Sequence, residues 1–388
     1  MIVYDNTLVL GGYRLDKTLF ITALVILTFG FIMMSSASLH LHKEPSDLKY
    51  PLHQFIHIVI GMVAAGVVMQ FNMKFWEKSG PWLFILGLAL LVVVLIVGKE
   101  VNGAQRWLAL FGISIQVSEI VKLFSVIYMA GYVTRHLETV RNSVYGLLKP
   151  LLLFAFACIL LLLEPDFGSA VILLTIALGV MFLGGARLWQ FILLFGSVSA
   201  IGVMLIIKSA YRLQRITSFW DPWADADNTG YQLVNALIAF GRGEWFGVGL
   251  GSSIQKMFFL PESHTDFLFS VIAEELGFIG ASTVIFLFTI LIWRAIRIGM
   301  EAERAGQFFS AYVAYGIAIW IGFQAIVNMG VNMGSLPTKG LTLPLMSYGG
   351  GSVVITIISL SILCRIYNEV QTIHADTPKG KPEWVGAS

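Results

Sequence analysis

The sequence predicts an all-α polytopic membrane protein, and two observations carry that prediction. The first is composition, because 57% of the 388 residues are hydrophobic and 12% are charged, with a mean hydropathy of +0.81. Soluble domains carry about 25% charged residues, so no water-soluble fold could bury this much apolar surface. The second is a set of ten apolar runs, each near the roughly 20 residues that cross a bilayer. Backbone amides in lipid must bond within their own segment, so these runs are predicted to be helices.

The predicted spans are separated mostly by short connections. In chain order they are 18–36, 53–71, 81–98, 115–133, 147–164, 168–186, 188–208, 266–293, 309–331 and 343–366. The first run has 19 residues, more than the about 7–15 of a signal peptide, so it is predicted to be a retained anchor. The polar ends, 1–17 and 367–388, lie outside the membrane domain, and we expect the tail to be flexible.

Basic residues predict the orientation. Ten spans place both termini on one side, and that side holds fourteen Lys and Arg residues. The short loops on the opposite side hold five. By the positive-inside rule, both termini are predicted to be cytoplasmic.

Three connections and one turn on the outward face carry most of the polar character. The longest connection, residues 209–265, contains "FWDPW" and "MFFLP", which are too aromatic for a disordered segment. We therefore expect it to fold back onto the helices. The same face is predicted to hold loops 99–114 and 331–347 and the turn "EPDFGS" at 164–169. Pro and Gly break helicity in loop 331–347.

Asp266 stands at the outer end of the eighth predicted span, after Pro261 and beside His264. A half-buried carboxylate there could act as a general base. Alternatively, Thr265 or Asp266 caps the helix, with Glu262 near its positive end. The two roles are compatible, and the pattern by itself favours capping.

Four charged residues lie in the interior of predicted spans, away from their ends, where charge is costly. Glu274 and Glu275 lie two to three turns into the eighth span, so at least one is predicted to turn inward to a cation or a polar cavity. Glu119 and Lys122 are spaced i,i+3 on one helical face. A structural ion pair that fixes helix packing is the preferred interpretation, with a substrate contact as the alternative.

Three basic residues of the outward loops are candidate ligands for phosphate. Arg212 and Arg215 open the long loop on one helical face, and Arg binds phosphate oxygens bidentately. Interfacial anchoring explains one such arginine equally well. Lys339 is the only basic residue of loop 331–347. Snorkelling to the interface is the simpler role for it, and neutralising a diphosphate is the functional one.

Other patterns receive structural interpretations. The glycines of the long loop lack the signature and the preceding strand of a nucleotide-binding loop, so they indicate turns and close packing. His53 and His57 have no acidic or thiolate companion nearby and are predicted to be packed polar residues rather than metal ligands. Cys158 and Cys364 are predicted to be core residues. A net charge of +2 gives no indication of a nucleic-acid partner.

Four segments together resemble one family. They are "EPDFGSA", "GYQL" with "GLGSSIQK", "LPESHTDFLFSVIAEELG" and "LPTKGLTLPLMSYGGGS", in this order. From about residue 18 to 367 the chain is similar to the SEDS family (shape, elongation, division and sporulation). These are bacterial membrane glycosyltransferases that polymerise lipid II into peptidoglycan. "PTKG" with Lys339 is closer to the division branch than to the elongation branch.

The resemblance implies ten transmembrane helices with a large extracytoplasmic loop between helices 7 and 8, in the bacterial inner membrane, at the division septum. It implies Asp266 as the catalytic residue, and functional roles for Trp107 and Lys339. The implied partners are lipid II, membrane lipids, a class B penicillin-binding protein that supplies the transpeptidase, and other division proteins. One departure is Gly351 in "YGGGS", where the family commonly has Ser. It puts a role for a hydroxyl there in doubt.

The function expected from these residues is glycosyl transfer in septal cell-wall synthesis. A base must take the proton of the acceptor hydroxyl, and cations must stabilise the departing diphosphate. Asp266 is assigned as the base. Arg212, Arg215 and Lys339 are assigned to the diphosphate, and Trp107, Glu262 and His264 are grouped with them as substrate contacts. The reaction does not itself demand a cofactor, and Mg²⁺ or Mn²⁺ is left open. Two alternatives remain, a lipid II flippase and a non-enzymatic scaffold that recruits the transpeptidase.

Overall fold

The structure is a computed structural model that describes residues 6–38, 49–101, 104–110, 113–208, 219–337 and 340–376. Twelve helices are named here in chain order. They are α1 (Lys17–Ser38), α2 (Lys49–Val68), α3 (Met73–Val97), α4 (Val117–Arg135), α5 (Leu137–Asn142), α6 (Val144–Leu163), α7 (Phe167–Leu183), α8 (Leu188–Ile207), α9 (Tyr231–Gly243), α10 (Leu268–Arg304), α11 (Phe308–Asn332) and α12 (Gly350–Asp376). The strands are β1 (Thr7–Leu10), β2 (Tyr13–Asp16), β3 (Lys99–Val101), β4 (Ala104–Leu110) and β5 (Ile113–Gln116).

Within the described ranges, 8 helices are long and apolar enough to cross a membrane. They are α1, α2, α3, α4, α6, α10, α11 and α12. Two shorter apolar helices, Phe167–Leu183 and Leu188–Met204, lie at the sixth and seventh predicted spans. The prediction of a mostly helical, multi-pass membrane protein is therefore confirmed.

The helices form a buried centre and an apolar rim. In α4, α11 and α12, 78% of the most apolar window is buried, against 17% in α2. Large apolar side chains cover the rim, with Ile96 75% and Trp82 74% exposed. Such a surface would be unfavourable in water and fits a hydrocarbon solvent.

A β-hairpin opens the described chain. β1 and β2 pair antiparallel with Thr7 opposite Asp16. Buried Asp16 accepts hydrogen bonds from the Leu19 amide at 2.7 Å and from Arg294 Nε of α10 at 2.7 Å. The Thr7 hydroxyl lies 3.0 Å from the Tyr367 hydroxyl of α12. These contacts join the hairpin to α1, α10 and α12.

Connection 99–114, expected to be an outward loop, contains a small antiparallel sheet with strand order β3–β4–β5. Lys99 pairs with Trp107 on one side, and Trp107 pairs with Gln116 on the other. The sequence carried a signal for it, because the Asn-Gly dipeptide at 102–103 is typical of a two-residue hairpin connection.

Three helix boundaries differ from the predicted spans. α3 begins at Met73 rather than 81, because the Asn72 side chain accepts from the Phe75 amide and Pro81 is tolerated inside the helix. α12 begins at Gly350 rather than 343 and continues to Asp376, so helix extends into the segment expected to be a flexible tail. α10 runs to Arg304 and contains a break at Gly277, whose φ is 67° and ψ is −162°.

Candidate functional site

Asp266 is half-buried immediately before α10. The N-cap of α10 is Phe267, so neither Thr265 nor Asp266 holds the cap position considered above. Two side chains of α11 hold the Asp266 backbone, since its carbonyl accepts from Asn328 Nδ2 at 2.8 Å and from Asn332 Nδ2 at 2.9 Å. The backbone of Asp266 is thus fixed from a neighbouring helix.

The segment after α11 returns to the same place. A Cβ built on Gly340 would lie 2.9 Å from Asp266 Oδ2, so the carboxylate rests directly on this glycine. The next residue, Leu341, packs its side chain against Gly168 at the start of α7. The Tyr348 amide donates to the His264 carbonyl at 2.9 Å. Segment 340–349 therefore lies beside Asp266 and joins it to the "EPDFGS" turn.

His264 lies in an aromatic cluster. Its ring centroid is 4.9 Å from that of Tyr50 and 5.6 Å from that of Tyr348. Burial lowers the pKa of His264, and the nearby Glu262 carboxylate opposes this shift, so the ring is neutral at pH 7. Glu262 itself is exposed and accepts from the Thr265 hydroxyl at 2.7 Å.

Trp107 is half-buried on β4, and its sheet contacts two helix ends. Gln116 Nε2 lies 3.4 Å from Asp166 Oδ2, at the N-cap of α7. A Cβ on Gly351 of α12 would lie 3.1 Å from the Gln116 amide nitrogen. The family departure at 351 therefore has a packing basis, because the glycine lets α12 approach β5 closely.

Glu164 is a buried carboxyl group in the turn between α6 and α7, with 1% of its surface exposed. Neither of its carboxyl oxygens has a hydrogen-bond partner among the residues that the structure describes. Burial and the neighbouring Asp166 charge raise the pKa of Glu164 to about 8, while the Arg106 guanidinium opposes the shift. The group is thus largely protonated at neutral pH. Arg106 Nε donates to the Glu164 backbone carbonyl at 3.0 Å.

The pair expected within α4 is buried in the centre of the bundle. Lys122 Nζ lies 2.8 Å from Glu119 Oε1 and donates to Gln324 Oε1 of α11 at 2.9 Å. Gln324 Nε2 in turn donates to the Thr342 carbonyl at 2.9 Å. A hydrogen-bonded chain therefore runs from α4 through α11 to segment 340–349.

The two adjacent carboxylates of α10 are both fully buried, and both face cations of the long connection that precedes α10. Glu274 Oε1 lies 3.0 Å from Arg242 Nη1 of α9. Glu275 Oε1 lies 2.6 Å from Lys256 Nζ, and the Ser36 hydroxyl of α1 also donates to this carboxylate. Buried charges require partners, and these come from segments distant in the sequence.

The break in α10 is filled by the long connection that precedes this helix. The amides of Val248 and Gly249 donate to the carbonyls of Glu274 and Glu275, both at 3.0 Å. The Phe278 amide donates to the Glu244 carbonyl at 2.8 Å. Segment 244–249 thus satisfies backbone groups that the kink releases, which fixes the loop to the helix that begins beside Asp266.

Several predicted site features stay predictions. Arg212, Arg215 and Lys339 lie outside the described residues, so their proposed contacts with phosphate are not located here. In the part of the chain that is described, no group of three or more His, Cys, Asp or Glu side chains is placed to hold a metal ion.

Sequence reasoning missed the three amide residues of α11, which are Gln324, Asn328 and Asn332. The signal that could have found them is their i, i+4, i+8 spacing in an otherwise apolar helix, which places them on one face. Glu164 was also missed, although a carboxyl group between an apolar run and a turn was visible in "EPDFGS".

The family model described as "Cell cycle protein", of FtsW, RodA and SpoVE, matches residues 16–372. The chain belongs to this family. A curated relative from Methylomonas methanica, named probable peptidoglycan glycosyltransferase FtsW, is 56% identical over 373 residues, covering 95% of this chain and 96% of the relative. A relative of the same name from Methylococcus capsulatus is 56% identical over 363 residues, covering 92% of this chain and 91% of the relative.

Solved structures agree with the fold. A chain from a structure described as structural coordination of polymerization and crosslinking by a peptidoglycan synthase complex has a TM-score of 0.73 and 26% identity. The similarity covers 92% of this chain and 98% of the chain from that complex. The rod shape determining protein RodA of Thermus thermophilus has a TM-score of 0.67 and 26% identity, covering 92% of this chain and 97% of RodA. The family resemblance expected from the four sequence segments is therefore confirmed.

Proposed function

We propose that this chain is a peptidoglycan glycosyltransferase that polymerises lipid II into glycan strands during septal cell-wall synthesis. The observation that carries the proposal is the Asp266 carboxylate, half-buried at the start of α10 and resting on Gly340. Gly340 directly follows Lys339 in the sequence, so the segment that meets the proposed base is the one that carries a proposed cation for the diphosphate. The names of relatives at 56% identity support the reaction class.

The proposed chemistry is a single displacement at a sugar carbon. Asp266 accepts the proton of the acceptor hydroxyl while the oxygen of that hydroxyl forms a bond to the anomeric carbon of the other substrate. The bond from that carbon to the diphosphate oxygen breaks, and the lipid diphosphate leaves with the electron pair. Arg212, Arg215 and Lys339 are proposed to stabilise this growing negative charge.

The surroundings of Asp266 suit a substrate that is half lipid. α10 carries an apolar outer surface, which lipid tails can contact, while the groups before it are polar. Trp107, Glu262 and His264 are proposed to contact the sugar and peptide parts. A divalent cation, Mg²⁺ or Mn²⁺, would supply further charge stabilisation if bound, and no step above depends on it.

We also propose a place and partners for the chain. Both termini are cytoplasmic, ten helices span the inner membrane, and the large loop between the seventh and eighth lies outside. A class B penicillin-binding protein supplies crosslinking, and other division proteins assemble with the pair at the septum. Similarity to a chain of a peptidoglycan synthase complex supports the transpeptidase partner.

The deciding experiment compares purified wild type with Asp266→Asn in a lipid II polymerisation assay. We expect glycan formation to fall by at least about 100-fold, the usual contribution of a general base. Asp227→Asn makes the same chemical change at an exposed position of the long loop and should retain activity. Unchanged polymerisation by Asp266→Asn would remove Asp266 from the mechanism.

One observation favours a second function, lipid II translocation. Glu119, Lys122 and Gln324 form a buried polar chain in the centre of the bundle, where a transport path would need polar groups. The glycosyltransferase is preferred because relatives at 56% identity carry the name of that reaction and because Asp266, the proposed base, precedes α10 rather than lying along this buried chain. Headgroup translocation in proteoliposomes without polymer formation would support the flippase. Normal division with Asp266→Asn at normal protein levels would support a scaffold.

A further inference from the structure

Helix α11 carries an amide stripe, defined as Gln324, Asn328 and Asn332. Their i, i+4, i+8 spacing places the three side chains in one row, and all three are buried. An amide buried in an apolar helix bundle is unfavourable unless it is hydrogen-bonded. The partners of this stripe therefore indicate what it is there to hold.

The side-chain N–H groups of the stripe donate to backbone carbonyls of two segments that meet at the site. One segment contains Asp266 and the other contains Leu341 and Thr342. Asn328 Nδ2 donates to the Asp266 carbonyl at 2.8 Å and also to the Leu341 carbonyl. Gln324 Nε2 donates to the Thr342 carbonyl at 2.9 Å. One row of side chains thus fixes both the residue before α10 and the segment after α11.

Asn332 bridges two backbone groups at the start of α10. If α10 began one residue earlier, the amide of residue 270 would donate to the carbonyl of residue 266. Here the Ser270 amide is shared between the Phe267 carbonyl at 3.1 Å and Asn332 Oδ1 at 3.0 Å, and the Asp266 carbonyl accepts from Asn332 Nδ2 at 2.9 Å. The side-chain amide therefore bridges the two groups, which allows Asp266 to leave the helical path while its carbonyl stays satisfied.

Asn328 sets the distance between Asp266 and Gly340. The Asp266 and Leu341 carbonyls share the same Nδ2 group, so the two segments are held as one unit. The carboxylate of Asp266 then lies against the Gly340 backbone. A shift of either segment would move the proton acceptor relative to the residue that follows Lys339.

We infer that Asn328 and Asn332 are positioning residues for Asp266, and that Gln324 extends the same support to Thr342. The inference rests on the proposed function, in which Asp266 is the base. These amides do not touch the reacting atoms. They act by holding the main chain on which the carboxylate is carried.

The test measures kcat and KM for lipid II polymerisation by Asn332→Ala and Asn328→Ala. Misplacing a reacting group by about 1 Å can cost about 100-fold in rate, so we expect kcat to fall by about 10- to 100-fold. KM for lipid II should stay within about twofold, because the change concerns a group used in the chemical step.

Asn235→Ala is the matched control. Asn235 is also a buried asparagine, and its Nδ2 donates to the Tyr231 carbonyl within its own helix, α9. We expect this variant to keep kcat within about twofold of wild type at a similar thermal stability. A loss in Asn332→Ala no larger than in Asn235→Ala, or a proportional rise in KM, would overturn the inference.

Ser270→Ala provides a milder change if Asn332→Ala does not accumulate. The Ser270 hydroxyl donates to Asn332 Oδ1 at 2.7 Å and orients its amide. We expect kcat to fall by about 2- to 5-fold at unchanged KM, and an unchanged kcat contradicts the inference. Asp266→Asn is measured alongside. If Asp266→Asn keeps wild-type activity, the proposed base is wrong. If Asp266→Asn is inactive while Asn328→Ala and Asn332→Ala have normal activity, only the positioning role is wrong.

Discussion

At the scale of single residues, Gly340 carries the sharpest geometric constraint. Its Cα lies so close to the Asp266 carboxylate that a methyl group would meet Oδ2 at 2.9 Å. An aspartate side chain is short and has few ways to move aside. The absence of a side chain at Gly340 therefore allows the Asp266 carboxylate to occupy its position.

Gly340→Ala should displace the Asp266 carboxylate without removing it. We expect polymerisation to fall by about 10-fold or more, since small misplacements of a reacting group are costly. Steady-state kinetics on lipid II provide the measurement. Gly196→Ala in α8 is the control, because a Cβ there meets nothing within 4 Å and should leave activity unchanged. Equal activity of the two variants would contradict the contact between Gly340 and Asp266.

Glu164 is the residue for which a pH dependence can be derived. Its pKa is raised from 4.5 to about 8, so the folded protein holds a proton that the unfolded chain releases between these values. Stability contributed by this proton is complete below pH 4.5 and is lost as the pH rises towards about 8.

Glu164→Gln should therefore flatten the pH dependence of thermal stability. We expect the midpoint of unfolding of the variant, relative to wild type, to rise steadily between pH 5 and about 8. Thermal unfolding in detergent at several pH values provides the measurement. Glu138→Gln, which changes an exposed carboxylate near the other end of α6, is the control. It should alter the midpoint of unfolding by the same amount at every pH. A constant difference between wild type and Glu164→Gln would show that Glu164 is ionised throughout.

At the scale of elements, the described part of the long connection, residues 219–265, and α10 behave as one unit. α9 and segment 255–259 supply the cations for Glu274 and Glu275, and segment 244–249 supplies backbone donors at the Gly277 break. The close approach requires glycine, because a Cβ on Gly277 would lie 2.4 Å from the Gly247 amide nitrogen. The loop is thus held by charge and by backbone bonds together.

Lys256→Met should be strongly destabilising, because it leaves the Glu275 carboxylate buried without its cation. Breaking a buried pair in this way costs about 3–5 kcal/mol. Combining it with Glu275→Gln removes both charges and should recover most of the loss. A double-mutant cycle by thermal unfolding measures this, with Lys149→Met as the exposed control. Additive effects of the two changes would mean that the pair is not coupled.

Local spacing explains which of these pairs could be predicted. Glu119 and Lys122 are three residues apart on one helix, so their contact follows from helical geometry. Glu274 and Arg242 are 32 residues apart, and Asn332 and Asp266 are 66 apart. The sequence indicated that Glu274 or Glu275 turns inward to a cation or a polar cavity, but it offered no means of choosing a partner.

At the scale of the whole molecule, the apolar rim distinguishes this chain from a soluble protein. The buried core is mainly apolar as well, but it also contains Lys122, Glu119 and the amide stripe. In hydrocarbon, apolar surface between helices and lipid gives no net driving force, so buried polar contacts contribute to the choice of helix neighbours. The polar chain from α4 through α11 to segment 340–349 is therefore both packing and support for the site.

The sequence by itself determined the membrane class, the family and the candidate base. Apolar run length against bilayer thickness is a local property, and the motif around Asp266 is contiguous. Only the tertiary structure decided that α11 amides hold the Asp266 carbonyl, that Gly340 lies against its carboxylate, and that a sheet replaces the loop at 99–114. The physical reason is that these contacts join residues far apart in the chain, and their geometry depends on how helices pack rather than on any local pattern.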